Sequence, residues 1–335
     1  MGDQQEQQRP HGGAPEATTN PEARGAAVPT AWAERIGALA RGEATPVQPR
    51  LAATVVLLRQ HEAGSGESGS GEHGTGVSGT GVSGTGGPQA YLLRRRASMA
   101  FAGGMYAYPG GGVDPRDSAG AGTALRWAGP GPEEWAERLG CSAETAQAVV
   151  CAAVRETFEE AGVLLAGADE RSVVADVSGP EWREARAALE GHRLSFAEFL
   201  TERGLVLRSD LLGAWSRWIT PEFEERRYDT WFFVAVLPEG QRTAEVPGEA
   251  DRVEWLEPSE AVKRADNGEF LMLPPTVTTL RELLPYATPA EALAAAGGRT
   301  VSPILARGEV DADGRVSVSW PGHPELTMVT VGAVR

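Results

Sequence analysis

The chain has 335 residues, of which 41% are apolar, and carries a formal charge of −15. That length suits one large domain or two ordinary ones. The acidic balance excludes unaided nucleic-acid binding and a basic membrane-surface patch, but leaves room for an anionic substrate if a divalent cation reverses the sign locally.

Residues 1–29 are rich in Gly, Pro, Gln and Glu, and cannot bury enough apolar surface to offset ordering entropy. They lack the basic start and apolar core of a signal peptide, and no run of eighteen apolar residues follows, so a cytoplasmic protein is expected. AWAERIGALAR (31–41) predicts a short helix, and the partly β-branched run LAATVVLLRQ (51–60) a strand. The Gly/Ser-rich tract 64–88, with its repeated VSGTG unit, is a flexible loop by composition. It most simply joins 51–60 to a second, paired strand at AYLLRRR (90–96).

FAGGMYAYPGGGVD (101–114) is a glycine-rich turn region, and 115–141 looks like a partly helical insertion. The strongest helix is 142–161, with Ser142 as N-cap and Gly162 at the stop position. Cys141 and Cys151 lie ten residues apart without a partner cluster, which argues against a disulfide framework or a zinc site. Residues 180–212 read as helical and amphipathic, DTWFFVAVLP (229–238) as a buried strand and RVEWLEP (252–258) as a short one. Helices are predicted at 258–268, 276–286 and 289–298, and a hairpin over 303–320 around Asp313-Gly314, a dimer edge or a packing flap. Strands and helices mix without βαβ alternation, which favours α+β. The expected division is a tail over 1–48, a main domain over 49–290 with a helical insertion at 170–215, and a C-terminal extension over 291–335.

One stretch breaks local rules. RETFEEAG (155–162) crowds Glu156, Glu159 and Glu160 at the helix end that disfavours anions, with only Arg155 nearby. On a wheel of about 100° per residue they fall opposite Val150, Val154 and Phe158. A solvated face is one reading. The other is a platform for Mg²⁺, which takes carboxylate oxygens and leaves places for water and substrate phosphate.

PGGGVD (109–114) and AAVRETFEEAGVLL (152–165) resemble the two halves of a Nudix box, G-x5-E-x7-R-E-U-x-E-E-x-G-U, where U is bulky and apolar. Arg155, Glu156, Glu159, Glu160 and Gly162 complete its core, Thr157 holds a U position, Gly111 is the loop glycine, and Gln147 stands where the pattern has Glu. About thirty extra residues separate the halves, as in the peroxisomal-type coenzyme A diphosphatases with a split box. LLRRRASMAFAGGMYAYPGG (92–111) meets that subgroup's coenzyme A motif in part, with Tyr108 for Phe.

The resemblance implies a Nudix-type α/β/α sandwich with a mixed sheet, and hydrolysis of a nucleoside diphosphate linked to another moiety. Coenzyme A or an acyl derivative is the first choice; ADP-ribose, a nucleotide sugar or a dinucleotide is the second, and a non-hydrolytic ligand sensor the third. It implies Mg²⁺, or Mn²⁺, on Glu156, Glu159 and Glu160, with Glu249 as a further ligand. Glu159 or a residue from a later loop would act as base, Glu160 is counted with Glu159 among the catalytic residues, and Arg155 would orient the carboxylates. Gly110 and Gly111 would let the backbone approach ion or phosphate, and Arg95, Arg96, Arg226 and Arg227 are candidate phosphate binders, since the guanidinium fork matches phosphate geometry. Trp218 and Tyr228 are candidates to stack on adenine. The partner expected is a small molecule, with no nucleic acid or membrane, and a homodimer is compatible.

Overall fold

The computed structural model describes residues 27–61, 86–99, 102–117, 125–244 and 250–330. The readings of residues 1–26, of most of the glycine tract and of Glu249 lie outside the described residues. The elements in chain order are α1 (Thr30–Ala40), β1 (Arg50–Gln60), β2 (Pro88–Arg95), β3 (Tyr106–Ala107), β4 (Gly110–Gly112), β5 (Trp127–Ala128), α2 (Pro132–Leu139) and α3 (Ala143–Ala161). β6 (Ala166–Gly167), α4 (Pro180–Glu190), α5 (Phe196–Glu202), β7 (Val206–Arg208), β8 (Leu212–Ile219), β9 (Tyr228–Val236) and β10 (Ala250–Leu256) follow. The remainder is α6 (Pro258–Asp266), α7 (Pro274–Leu283), α8 (Pro289–Ala296), β11 (Pro303–Leu305), β12 (Arg307–Val310), β13 (Val316–Trp320) and β14 (His323–Val329).

β1 is apolar along most of its length because both its faces are covered. Ala53, Val55 and Leu57 point to one side of the sheet, Val56 and Leu58 to the other. The main sheet runs in the order β10-β2-β1-β9-β8-β11. β1 and β2 pair antiparallel across the glycine tract, Leu58 opposite Ala90, as expected. β1 lies parallel to β9, from Arg50 opposite Tyr228 to Leu58 opposite Val236, so the sheet is mixed. The first half of β1 pairs instead with β4, Ala53 opposite Gly111, while the end of β2 pairs with β3, Leu93 opposite Ala107. Residues 106–112 therefore form a wedge where β1 and β2 part.

One face of the sheet buries Trp231 and Phe233 with Val150, Val154 and Phe158 of α3, Trp135 and Leu139 of α2, and Phe196 and Phe199 of α5. The other buries Trp215, Phe232 and Val234 against α6, α7, α8 and α1. Helices on both faces of a mixed sheet make the expected α/β/α sandwich.

Two expectations change. The helical reading of 180–212 holds for α4 and α5 but ends at Glu202, after which β7 and β8 take over. β8 has little visible alternation because nearly all of it is buried and a bulge lies between Ala214 and Ser216. The C-terminal hairpin is real, β12 against β13, but 303–305 leaves it to join the main sheet parallel to β8, and β14 adds a third strand. This small sheet is a packing flap: Val316, Val318, Trp320, Leu326 and Met328 are buried in the second core. β5, β7 and β6 form another small sheet. Among the described residues no helix is long and apolar enough to cross a membrane.

Candidate active site

The helix α3 starts and stops where its sequence dictates. Ser142 Oγ accepts from the Thr145 N–H at 3.2 Å, and Gly162 takes the left-handed conformation at φ 66°, its N–H returning to Phe158 O. Every residue from Ala148 to Ala161 is buried. The helix wheel correctly separates the glutamates from the core face, but the opposite side is not open to water. The loop 109–117 lies against it, and Glu190 at the end of α4 comes close enough to act on Glu159. Glu156, Glu159 and Glu160 are only 9%, 7% and 7% exposed, so the solvated-face reading is excluded.

Burial has a cost that shows in the acidities. Desolvation pushes Glu156 up to about 7 against the pull of Arg155, with repulsion from Glu159 adding to it. Glu159 rises to about 7 for the same first reason, again opposed by Arg155. The compensating cation is spread across the whole cluster. Arg155 Nη1 donates to Glu156 Oε1 at 2.9 Å and to both Glu159 oxygens at 3.3 Å. Nη2 donates to Gly112 O at 2.8 Å and to Asp117 at 3.0 Å, and Nε to both Asp117 oxygens at 3.1 and 3.2 Å. Arg155 thus bonds two of the three glutamates, Asp117 and the glycine loop at once.

The two loop glycines have separate reasons. A Cβ on Gly110 would stand 2.5 Å from Ala53 O and Thr54 Oγ1, so the close pairing with β1 requires glycine. Its N–H donates to Glu160 Oε2 at 2.7 Å. A Cβ on Gly111 would stand 2.5 Å from Glu156 Oε1. The missing side chain is what lets the loop and the carboxylate face each other.

Sequence reasoning missed Asp117. It lies in a 3-10 turn (Pro115–Asp117) at the first step of the insertion, is 3% exposed, and accepts the Asp114 N–H at 2.8 Å besides its bonds from Arg155. Cys151 Sγ lies 3.6 Å from it. The signal was present as Asp-Pro-Arg-Asp one residue after the glycines, an acid placed to reach back to the N–H that opens its own turn. Asp114 is held well below the usual carboxylate range by its hydrogen bonds from Arg116. His192, in the turn between α4 and α5, touches the same pair, with Nδ1 3.2 Å from Asp114 and 2.8 Å from Arg116 Nη2.

The arginines expected at the phosphate divide. Arg95 ends β2, half-buried, and Arg96 follows it, exposed. Arg226 is exposed beside the start of β9. Arg227 is a correction: it is buried and donates to Thr220 O at 3.0 Å and Val47 O at 2.6 Å, so it ties loops together rather than facing a ligand. Trp218 is likewise committed, 95% buried by its 5% exposure, its ring 5.1 Å from that of His323 and its Nε1 donating to Ser216 Oγ. Tyr228, half-buried, begins β9 with its N–H donating to Thr220 Oγ1. Gln147, at the departure from the box pattern, is half-buried two turns before Arg155.

Among the described residues no three acidic groups converge on a single point. Arg155 draws Glu156 and Glu159 one way, and the Gly110 N–H holds Glu160 another. The donor set still fits a hard divalent cation. It offers carboxylate oxygens without sulfur or imidazole, in a place where one arginine faces Glu156, Glu159 and Asp117.

The layered mixed sheet with helices on both faces has the form of a Nudix-type fold. Residues 136–283 match the family model described as the NUDT19 Nudix domain. The crystal structure of a NUDIX hydrolase from Alicyclobacillus acidocaldarius superposes with a TM-score of 0.57 at 25% identity, covering 74% of this chain and 96% of that one. The acyl-coenzyme A diphosphatase NUDT19 of Homo sapiens is 31% identical over 152 residues, 42% of this chain and 39% of that protein. The Xenopus laevis protein of the same name is 26% identical over 153 residues, 41% and 39% respectively. The chain therefore resembles the coenzyme A diphosphatase subgroup of the Nudix hydrolases, and its matches span about two-fifths of the length of those relatives.

Proposed function

We propose that this chain is a Mg²⁺- or Mn²⁺-dependent diphosphatase. It cleaves the pyrophosphate bond of a nucleoside diphosphate joined to a second moiety, with coenzyme A or an acyl-coenzyme A as substrate. The observation that carries the reading is the buried set Glu156, Glu159 and Glu160, set against the Gly110–Gly111 backbone and oriented through Arg155. The named activity of the acyl-coenzyme A diphosphatase relatives supports the substrate class.

Glu156, Glu159 and Glu160 would hold the cation, and Glu249 is assigned as a further ligand. When bound, the cation supplies charge neutralisation for the pyrophosphate and acidifies water. The chain's own groups do the rest. Arg155 fixes the carboxylate rotamers by charge-assisted hydrogen bonds. Glu159 or Glu160 takes the proton of the attacking water. The glycine loop admits the phosphate close to the backbone, and Arg95, Arg96 and Arg226 offer guanidinium forks to the remaining phosphate oxygens.

The test is incubation with coenzyme A and Mg²⁺, with 3′,5′-ADP followed by chromatography. Release is expected, with none in the presence of a chelator and none from Glu160→Gln. Equal or faster turnover of ADP-ribose would move the substrate to that class. A panel of pyrophosphates left intact with both Mg²⁺ and Mn²⁺ would end the enzymatic reading.

A further inference from the structure

Resting on that reading, we infer that Asp117 is the positioning residue that holds the two halves of the interrupted box in register. The insertion breaks the covalent spacing between the glycine loop and α3, so some non-covalent bond must restore it. Asp117 occupies the junction. Its carboxylate is buried, accepts the Asp114 N–H from the loop side at 2.8 Å, and accepts Arg155 Nε and Nη2 from the helix side at 3.0–3.2 Å. The same guanidinium bonds Gly112 O, three residues before the Pro115–Asp117 turn, at 2.8 Å. Loop, turn and helix therefore close on one another through a single planar group.

That arrangement also sets where Arg155 points. The guanidinium divides its donors between Asp117 and Gly112 O on one edge and Glu156 and Glu159 on the other. With the charge of Asp117 removed, the favoured position of the guanidinium shifts toward the two glutamates. They would then stay engaged with arginine and resist a cation. No hydrogen bond joins Asp117 to either glutamate: it reaches them by positioning Arg155, with a smaller direct charge repulsion beside that.

The test uses the full chain and reads Mn²⁺ binding by electron paramagnetic resonance, beside kcat and KM for coenzyme A. Partners of metal ligands are commonly worth about 10–100-fold in affinity, and Asp117→Asn is expected to weaken Mn²⁺ binding within that range. It should lower kcat while KM moves little, since the change lies in the oriented carboxylates. His192→Ala, which touches Asp114 and Arg116 in the same loop without touching Asp117, should bind Mn²⁺ as the parent does. If Asp117→Asn fails to fold, Asp117→Ser, which keeps an acceptor for the Asp114 N–H, takes its place. Parental Mn²⁺ affinity in a folded Asp117 variant overturns the inference, and so does loss of folding in both, which would make Asp117 a stability residue alone. A parent chain that binds no Mn²⁺ would instead overturn the functional reading beneath it.

Discussion

Arg155→Met removes the cation around which the buried acids are arranged and keeps much of the side-chain volume. Arg155 is 6% exposed and its donors are all engaged, with Asp117, Gly112 O, Glu156 and Glu159. Breaking a buried ion pair by deleting one partner costs about 3–5 kcal/mol. In a domain of this size that lowers Tm by about 10 °C. The sign of the pH dependence is fixed by the two glutamates. Their folded values of about 7 exceed the ordinary 4.5, so between those pH values the folded chain holds protons that the unfolded chain has released. Metal-free stability therefore falls as pH rises through that window, by something on the order of 3 kcal/mol for Glu159. Arg155 draws both values down. Without it they rise further, the loss continues above pH 7, and the deficit of the variant is larger at pH 9 than at pH 6. Urea unfolding with chelator present, followed by circular dichroism at both pH values, measures this directly. A destabilisation below about 1 kcal/mol, or one equal at the two pH values, would refute the account of Arg155 as the shared counter-charge.

Gly111→Ala should weaken Mn²⁺ binding severalfold while changing unfolding free energy little, because its Cβ meets the movable end of Glu156 at 2.5 Å; titration calorimetry reads the first and urea unfolding the second. Cation binding at pH 6 must displace protons from Glu156 and Glu159, so the apparent dissociation constant should rise about tenfold or more from pH 8 to pH 6, with protons released into the buffer. An affinity flat across that range would reject the raised acidities. Arg227→Ala should cost about 1–3 kcal/mol of stability through the stranded Thr220 and Val47 carbonyls and leave KM for coenzyme A unchanged, whereas a raised KM would restore it to the phosphate site.

What the sequence disclosed followed from local rules. Ser142 and Gly162 mark the ends of α3 because capping is local chemistry, and the apolar runs of β1 and β9 announce strands covered on both sides. The pairing of β1 with β2 across the glycine tract follows from proximity in the chain. The burial of Glu156, Glu159 and Glu160 could not be read from a helix wheel, which locates the core side but cannot say what covers the other. Asp117 gains its role from a contact with Arg155 across the insertion, and periodicity carries no trace of such a contact. Arg227 looked like a phosphate binder because its residue type suits that task, yet its neighbours are carbonyls of Thr220 and Val47, the latter far away in the chain. β8 was hidden by a bulge and by burial that erase the alternation a strand is recognised by.

The flap formed by β12, β13 and β14 lies on α1, where Ile36 abuts Gly308 so closely that a Cβ there would meet it at 2.7 Å. Helix α1 already meets an earlier-made segment through Trp32 and Phe223, but its seat is finished only by strands that follow much later in sequence. During synthesis, then, α1 keeps part of its apolar side unshielded until these much later strands emerge. Such a closing contact between distant parts of the chain is paid in loop entropy and slows maturation, and it makes a ribosome stalled short of β13 the holder of an exposed greasy surface that chaperones would bind.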